Sequence, residues 1–342
     1  MKEALLYEKL ADGRVRCLLC AHRCVIAEGR VGVCGVRENR GGTLYSLVYE
    51  RLIAQAIDPI EKKPLFHFYP GSSSFSIATV GCNLRCVFCQ NADISQAPRD
   101  RGYIGGQEVP AAGVVEAARR HRCASIAYTY TEPTVFFEYT YDIARLAHEA
   151  GIANVYVTNG YMSSDMLEMV TSPTEPPLID AANVDLKAFR DAFYRQQCGA
   201  SLQPVLDSLK LIKARRMWLE VTTLIIPGLN DSEAELRDIA RFIAAELDVD
   251  TPWHVSRFHP TYKMRDRPPT PVGTIHRARE IGLEAGLHYV YEGNVPGAGG
   301  EDTTCPQCGR RVIARLGFSV LENKAQGGSC AHCGARIAGI GL

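Results

Sequence analysis

The grouping of thirteen cysteines constrains this chain of 342 residues more than any other feature. They stand at 17, 20, 24 and 34, at 82, 86 and 89, at 123 and 198, and at 305, 308, 330 and 333. A secreted disulfide scaffold is short and carries cysteines along its whole length, whereas close Cys-x2-Cys pairs in a long chain usually hold metal. The length predicts one large domain with appendages, or two domains. Hydrophobic residues at 46% and charged residues at 22% exclude wholesale disorder and fibrous architectures. Basic and acidic residues balance at 38 each, which leaves no global electrostatic footprint for nucleic acid or an anionic membrane. The stretch Met1 to Lys9 lacks the apolar core of a signal peptide, and no later run approaches ~18 uninterrupted apolar residues. The expectation is a cytoplasmic protein with neither a nucleic-acid nor a membrane partner.

The cysteine groups also divide the chain. Residues 1–70 read as an irregular four-cysteine module ending in the proline-punctuated stretch Asp58 to Pro64. From about Ser74, short β-branched runs alternate with helical patterns. Candidate strands are Phe75 to Val80, Ser125 to Tyr130, Asn154 to Thr158, Asn183 to Lys187, Trp218 to Ile226 and Trp253 to Phe258. Candidate helices are Val109 to Arg122, Val135 to Ala150, Asp165 to Val170, Leu202 to Arg216, Glu233 to Leu247 and Val272 to Ala285. Six such β/α units over 71–293 predict an α/β fold of parallel strands with right-handed crossovers. The pattern allows a partial, open barrel or a doubly wound sheet, and in both the working face lies at the C-terminal ends of the strands. Residues 171–177 read as a surface excursion, 294–304 as a flexible linker, and 305–342 as a separate C-terminal module.

Directly after the first predicted strand comes Gly81-Cys82-Asn83-Leu84-Arg85-Cys86-Val87-Phe88-Cys89-Gln90-Asn91. A four-iron cube takes four thiolates, so three on one short loop leave one iron free for a small molecule. The alternative is a zinc knuckle completed by a distant ligand.

This Cys-x3-Cys-x2-Cys loop, with an aromatic before its last cysteine, resembles the radical S-adenosylmethionine (SAM) superfamily. The resemblance implies a partial (β/α)6 TIM-like barrel and a [4Fe-4S] cluster on Cys82, Cys86 and Cys89. It further implies that SAM chelates the open iron and is cleaved by one electron, from an external donor, to methionine and a 5′-deoxyadenosyl radical. Phe88 would lie beside the adenine. Glu132, in Tyr-Thr-Glu-Pro-Thr, stands where the family holds the methionine ammonium with a Gly-Gly-Glu-Pro segment, although this chain lacks the glycines. A carboxylate at a helix start is the plainer reading.

Thr158-Asn159-Gly160 and Asp185-Leu186-Lys187 resemble segments of glycyl-radical-enzyme activases, which makes Asn159 and Asp185 candidates for cofactor contacts and Lys187 a catalytic candidate. A strand-end ion pair of Asp185 with Lys187 is the alternative. On the sixth strand His254 faces either the cofactor pocket or the core, and His259 just beyond it is a catalytic candidate on the same terms. Cys198 is read as a hydrogen-atom donor or a plain loop thiol. Over residues 17–293 the motif order resembles the radical enzyme of the AmmeMemoRadiSam set, which implies Memo-like and Ammecr-like partner proteins. An activase of a glycyl radical enzyme is the alternative within enzymes, and a non-catalytic iron-sulfur or zinc electron-transfer scaffold the alternative outside them.

Cys17, Cys20, Cys24 and Cys34 suffice for a closed site of zinc or an auxiliary iron-sulfur cluster, with His22 expected to be a solvated turn residue. Cys305-Pro-Gln-Cys308-Gly and Cys330-Ala-His-Cys333-Gly read as the paired knuckles of a zinc ribbon or a rubredoxin-like site, holding zinc or mononuclear iron.

Overall fold

The β-branched runs beyond residue 73 can bury both faces only when helices cover them, and in the computed structural model they do. The structure describes residues 1–171, 176–295, 297 and 299–342. One sheet of eight strands runs in the spatial order β1 (Ala54–Pro59), β2 (Ser73–Ala78), β3 (Ser125–Tyr128), β4 (Ala153–Thr158), β5 (Ala181–Asp185), β6 (Trp218–Ile225), β7 (Trp253–Arg257) and β8 (Val290–Gly293). Strands β2 to β8 are mutually parallel, and β1 joins β2 antiparallel. Between successive parallel strands lie α1 (Ala111–Arg120), α2 (Phe137–Glu149), α3 (Ser164–Val170), α4 (Gln203–Ala214), α5 (Glu233–Phe242) and α6 (Val272–Glu284). Strand order follows chain order without reversal, which removes the doubly wound alternative.

All six expected strands are present, and two more were not anticipated. Strand β1 falls in the proline-punctuated stretch read as irregular; as an edge strand it tolerates Pro59, whose missing donor is not needed by a neighbour. Strand β8 is only four residues long and leads straight into the stretch read as a linker. Helix starts follow local chemistry: Ser163 Oγ accepts from Met166 N at 3.1 Å and Ser232 Oγ from Glu235 N at 3.4 Å.

The N-terminal module consists of two small antiparallel sheets whose apolar residues, Val15, Leu19 and Val36 among them, join the core beneath the parallel sheet. Its Arg37 makes a bidentate pair with Glu138 of α2 at 2.7 and 2.8 Å, both side chains buried. The C-terminal block, strands Thr303–Thr304, Arg311–Leu316 and Ser319–Asn323, shares a core with Phe66, Tyr289 and Tyr291. Around the stretch read as a flexible linker, Glu292 N donates to Gly300 O at 3.0 Å, and Glu301 and Thr303 are buried, so its described part is packed rather than slack. Pro296 and Ala298 of that stretch, and 172–175 of the expected surface excursion, lie outside the described residues. Among the described residues no helix is long and apolar enough to cross a membrane.

Candidate active site

A cavity of about 540 Å³ opens at the C-terminal ends of the parallel strands. Cys82, Cys86, Phe88, Cys89, Glu132, Asn159, Asp185, Lys187 and His254 all line it. The chain brings them together at one end of the sheet: the cysteine loop follows β2, Glu132 follows β3, Asn159 follows β4, Asp185 and Lys187 stand at the end of β5, and His254 lies on β7. Gly81 (φ +104°) permits the turn from β2 into the cysteine loop; a Cβ there would stand 2.8 Å from Val36 Cγ1 of the N-terminal module, so only glycine fits.

The three loop thiols are held as thiols in the bare protein. Burial and the nearby Glu132 carboxylate push Cys82 up, the adjoining Cys198 thiol and burial push Cys86 up, and burial pushes Cys89 up against a Ser95 Oγ contact at 3.2 Å. Buried thiols of this kind lose their protons when a metal's positive charge replaces them.

Glu132 serves two purposes at once. It caps the short helical turn at Pro133–Phe136, its Oε1 accepting from Thr134 N at 3.1 Å, Thr134 Oγ1 at 2.6 Å and Thr158 Oγ1 at 2.7 Å. Among the described residues its Oε2 accepts from Asn159 N alone, at 2.9 Å, which leaves it acceptor capacity, and Glu132 lines the cavity. Burial raises its carboxyl despite these donors. The helix-start reading is thus realised without removing Glu132 from the cavity.

The side-chain amide of Asn159, a candidate for cofactor contact, is engaged with the cysteine loop. Nδ2 donates to Asn83 Oδ1 at 2.8 Å and approaches Cys82 Sγ at 3.7 Å, while Oδ1 accepts from Tyr161 N at 2.9 Å. The strand-end pair of Asp185 and Lys187 also forms, at 2.9 Å. Although burial opposes its charge, the Asp185 carboxylate raises Lys187 well above the usual lysine range, leaving a fixed ammonium beside the loop. His254 gives Nε2 to Glu220 at 2.7 Å, inside a buried network in which Glu220 also accepts from Phe66 N, His67 N and Trp218 Nε1.

Two candidates fall outside the cavity. His259 is exposed and does not line it, because the chain leaves the sheet at Arg257 and turns outward. Cys198 is fully buried behind Cys86, with no face on the cavity. Lys63, Tyr130 and Phe318, none of them a candidate on sequence grounds, also line the cavity. Lys63 is buried, pairs with Asp58 at 2.6 Å and is pushed down to about 8 by burial. Phe318 arrives from the hairpin tip of the C-terminal block; an aromatic after Gly317 at a strand-to-strand turn was the available signal.

Cys305, Cys308, Cys330 and Cys333 converge with all four sulfurs within 4.8 Å, the closest pairs at 3.6 and 3.8 Å. A single ion with metal-sulfur bonds of about 2.3 Å in tetrahedral geometry places its sulfurs ~3.8 Å apart, so this group fits one mononuclear ion. His332 is exposed beside it. His22, expected in solvent, is half-buried and gives Nε2 to Asn83 O at 2.8 Å.

Residues 76–243 match the model of the radical SAM superfamily. An uncharacterized protein of Methanocaldococcus jannaschii is 47% identical over 339 residues, 98% of this chain and 99% of its own length. The pyruvate formate-lyase-activating enzyme of Clostridium pasteurianum is 25% identical over 202 residues, 54% of this chain and 80% of that one. Among solved structures, a radical SAM methyltransferase from Sphaerobacter thermophilus superposes with a TM-score of 0.51 at 20% identity, over 66% of this chain and 67% of that one, which speaks to fold alone. The cysteine-loop motif and the domain match agree, and the chain is a radical SAM enzyme.

Proposed function

We propose that Cys82, Cys86 and Cys89 hold a [4Fe-4S] cluster whose fourth iron binds SAM, and that the enzyme abstracts hydrogen from a substrate admitted to the same cavity. The observation that carries this reading is the convergence of three loop thiols, Cys86 buried and Cys82 and Cys89 partly buried, with the Glu132 carboxylate and the Lys187 ammonium around one space of about 540 Å³. Bound together, cluster and cofactor supply a 5′-deoxyadenosyl radical after one-electron reduction by an external donor. The residues divide the remaining work. Glu132 offers its open Oε2 lone pair to the cofactor ammonium. Asn159 braces the cysteine loop from behind, and Lys187 offsets the negative charge that the thiolates bring. The open sheet, curved as a partial (β/α)6 barrel, presents these groups on one rim. His254, fixed on Glu220, forms a rigid wall.

Superfamily membership removes the non-catalytic scaffold as a reading. A second enzymatic reading, activation of a glycyl radical enzyme, is supported by the similarity to the Clostridium pasteurianum activase over 54% of this chain. The motif order further suggests Memo-like and Ammecr-like proteins as partners. The C-terminal four-sulfur site is assigned one ion of zinc or iron. Anaerobic reconstitution followed by measurement of 5′-deoxyadenosine tests the central reading: replacing Cys82, Cys86 and Cys89 together with Ala must abolish its formation. Persistent 5′-deoxyadenosine in that variant would overturn it, and adding candidate partners one at a time separates the substrate readings.

A further inference from the structure

The cysteine loop has an outer side that the cavity does not use. Leu84 and Cys86 line the cavity, whereas Arg85 between them does not and is exposed. Toward the N-terminal module the loop rests on His22, whose Nε2 meets Asn83 O at 2.8 Å, and there Cys17, Cys20, Cys24 and Cys34 line a separate cavity of about 20 Å³. Arg85 lines neither space. Its backbone N donates to Cys198 O at 2.7 Å, and its stem runs along Gly199, where an added Cβ would stand 3.5 Å from Arg85 Cβ.

Two further cations join it. Arg99 Nη2 donates to Cys82 O at 3.0 Å and to Leu84 O, while its Nη1 has no hydrogen-bond partner. Lys263 N donates to Val87 O at 3.0 Å, and its exposed side chain lies over the Tyr262 ring at 4.9 Å. Arg99 stands within electrostatic reach of both Arg85 and Lys263. Asp100, held by the Tyr262 hydroxyl at 2.7 Å, sets one carboxylate against the three. Among the described residues none of the three forms a salt bridge, whereas Arg23 and Arg195, on segments that adjoin the loop, are paired with Asp165 and Asp191. The result is a local positive patch on a chain whose charges balance at 38 each.

The patch lies where the proposed chemistry needs a partner. One electron must reach the centre on Cys82, Cys86 and Cys89 from outside, and the cavity side is given to SAM and substrate. Electron-transfer encounters bury little surface, under about 1,200 Å², and are steered by opposite charge. We propose that Arg85, Arg99 and Lys263 form the docking surface for an acidic one-electron carrier protein. The proposal rests on the cluster reading above. In the transfer a reduced flavin carrier passes from anionic hydroquinone to neutral semiquinone and its electron enters the [4Fe-4S] centre; no bond is made or broken and no proton moves.

Oxidised flavodoxin, an acidic flavin protein, is the probe for binding to the full-length chain, so the readout needs neither cluster nor turnover. The wild type should bind it at low salt and release it as salt rises from about 0.01 to about 0.15 M, the range in which exposed charges become screened. Arg85→Glu with Lys263→Glu should weaken binding about tenfold or more and flatten the salt dependence. Arg119→Glu with Arg120→Glu, on α1, changes the net charge equally and should leave affinity unchanged. Unchanged affinity in the first pair, an equal loss in both pairs, or no binding by the wild type would overturn the proposal. Turnover gives a second readout: the ratio of 5′-deoxyadenosine formed with reduced flavodoxin to that formed with dithionite should fall about tenfold in the first pair. Should the reversed pair not fold, Arg85→Gln with Lys263→Gln decides the same question, with a loss of about threefold supporting the surface and no loss refuting it. A wild type that makes no 5′-deoxyadenosine with either reductant would refute the cluster reading, while the affinity comparison still decides the docking surface.

Discussion

His67 donates from Nδ1 to the carbonyl oxygen of Ala338 at 2.5 Å, joining the segment before β2 to the C-terminal block. A carbonyl can only accept, so Nδ1 carries the proton, and Nε2 accepts from the Tyr291 hydroxyl, which in turn meets Thr303 Oγ1 at 2.8 Å. The ring is therefore neutral, and burial lowers its pKa to about 4. The unfolded chain takes up this proton near 6.5 while the folded chain does not. The contribution is absent above pH 6.5 and grows as a penalty while pH falls through 4, reaching about 3 kcal/mol. Urea unfolding of the wild type and of His67→Gln between pH 7 and 4.5 checks this: the variant should show a shallower acid-side decline, and parallel curves would contradict it.

Arg315 and Glu61 are both fully buried and lie 3.5 Å apart, with the Arg315 guanidinium also giving Phe66 O a hydrogen bond at 2.7 Å and stacking 4.4 Å from the Phe66 ring. Removing one member leaves the other charge buried alone. Arg315→Met should destabilise the protein by ~3 to 5 kcal/mol, and adding Glu61→Gln should recover most of that loss. Thermal unfolding of the two variants decides it; a double variant no more stable than the single would show that the charge pair is not the cause.

Glu132→Gln keeps the shape of the side chain and changes its donors. The amide oxygen can serve Thr134 and Thr158, but the amide nitrogen then faces the Asn159 N-H, donor against donor. The carboxylate charge offered to the cofactor is lost as well. SAM affinity should fall roughly ten- to a hundredfold, the effect of losing a charged hydrogen bond of ~1.5 to 3 kcal/mol. Equilibrium binding to the reconstituted variant measures this, with cluster content as the control for an intact loop. Undiminished affinity would return Glu132 to a capping role alone.

What the sequence disclosed depended on how local each signal was. The parallel strands and the cysteine loop rest on neighbours in the chain, and both were legible: β-branched runs bounded by turns, and three cysteines after the first of them. Strand β1 was hidden because Pro59 and Pro64 break the pattern and its exposure alternates weakly at a sheet edge. Lys63 and Phe318 reach the cavity only through contacts distant in sequence, and the bond of Arg315 to Phe66, which spans 249 residues, is of the same kind. No periodicity encodes such pairings. Glu132 illustrates a different limit: the sequence posed capping and cavity lining as rivals, and one carboxylate with several lone pairs does both.

The C-terminal ion can be removed without removing the block that holds it. Cys308 and Cys333 are exposed whereas Cys305 and Cys330 are buried, so Cys308→Ser with Cys333→Ser opens the site from the solvent side and leaves the apolar contacts of Val312, Ile313 and Ile337 in place. Isolated zinc peptides derive ~10 to 16 kcal/mol of apparent folding energy from their metal; here the block also rests on Phe66, Tyr289 and Tyr291, so its loss of order should be local. The double variant should release one metal ion per chain, become sensitive to proteolysis between residues 305 and 333, and keep basal SAM cleavage under a strong reductant. Deleting residues 296–342 should behave differently, because it strips the cover from those aromatics and deprives Glu61 and His67 of their partners. That chain should melt well below the double variant. Equal melting temperatures for the two would show that the ion, and not the shared core, holds the block in place.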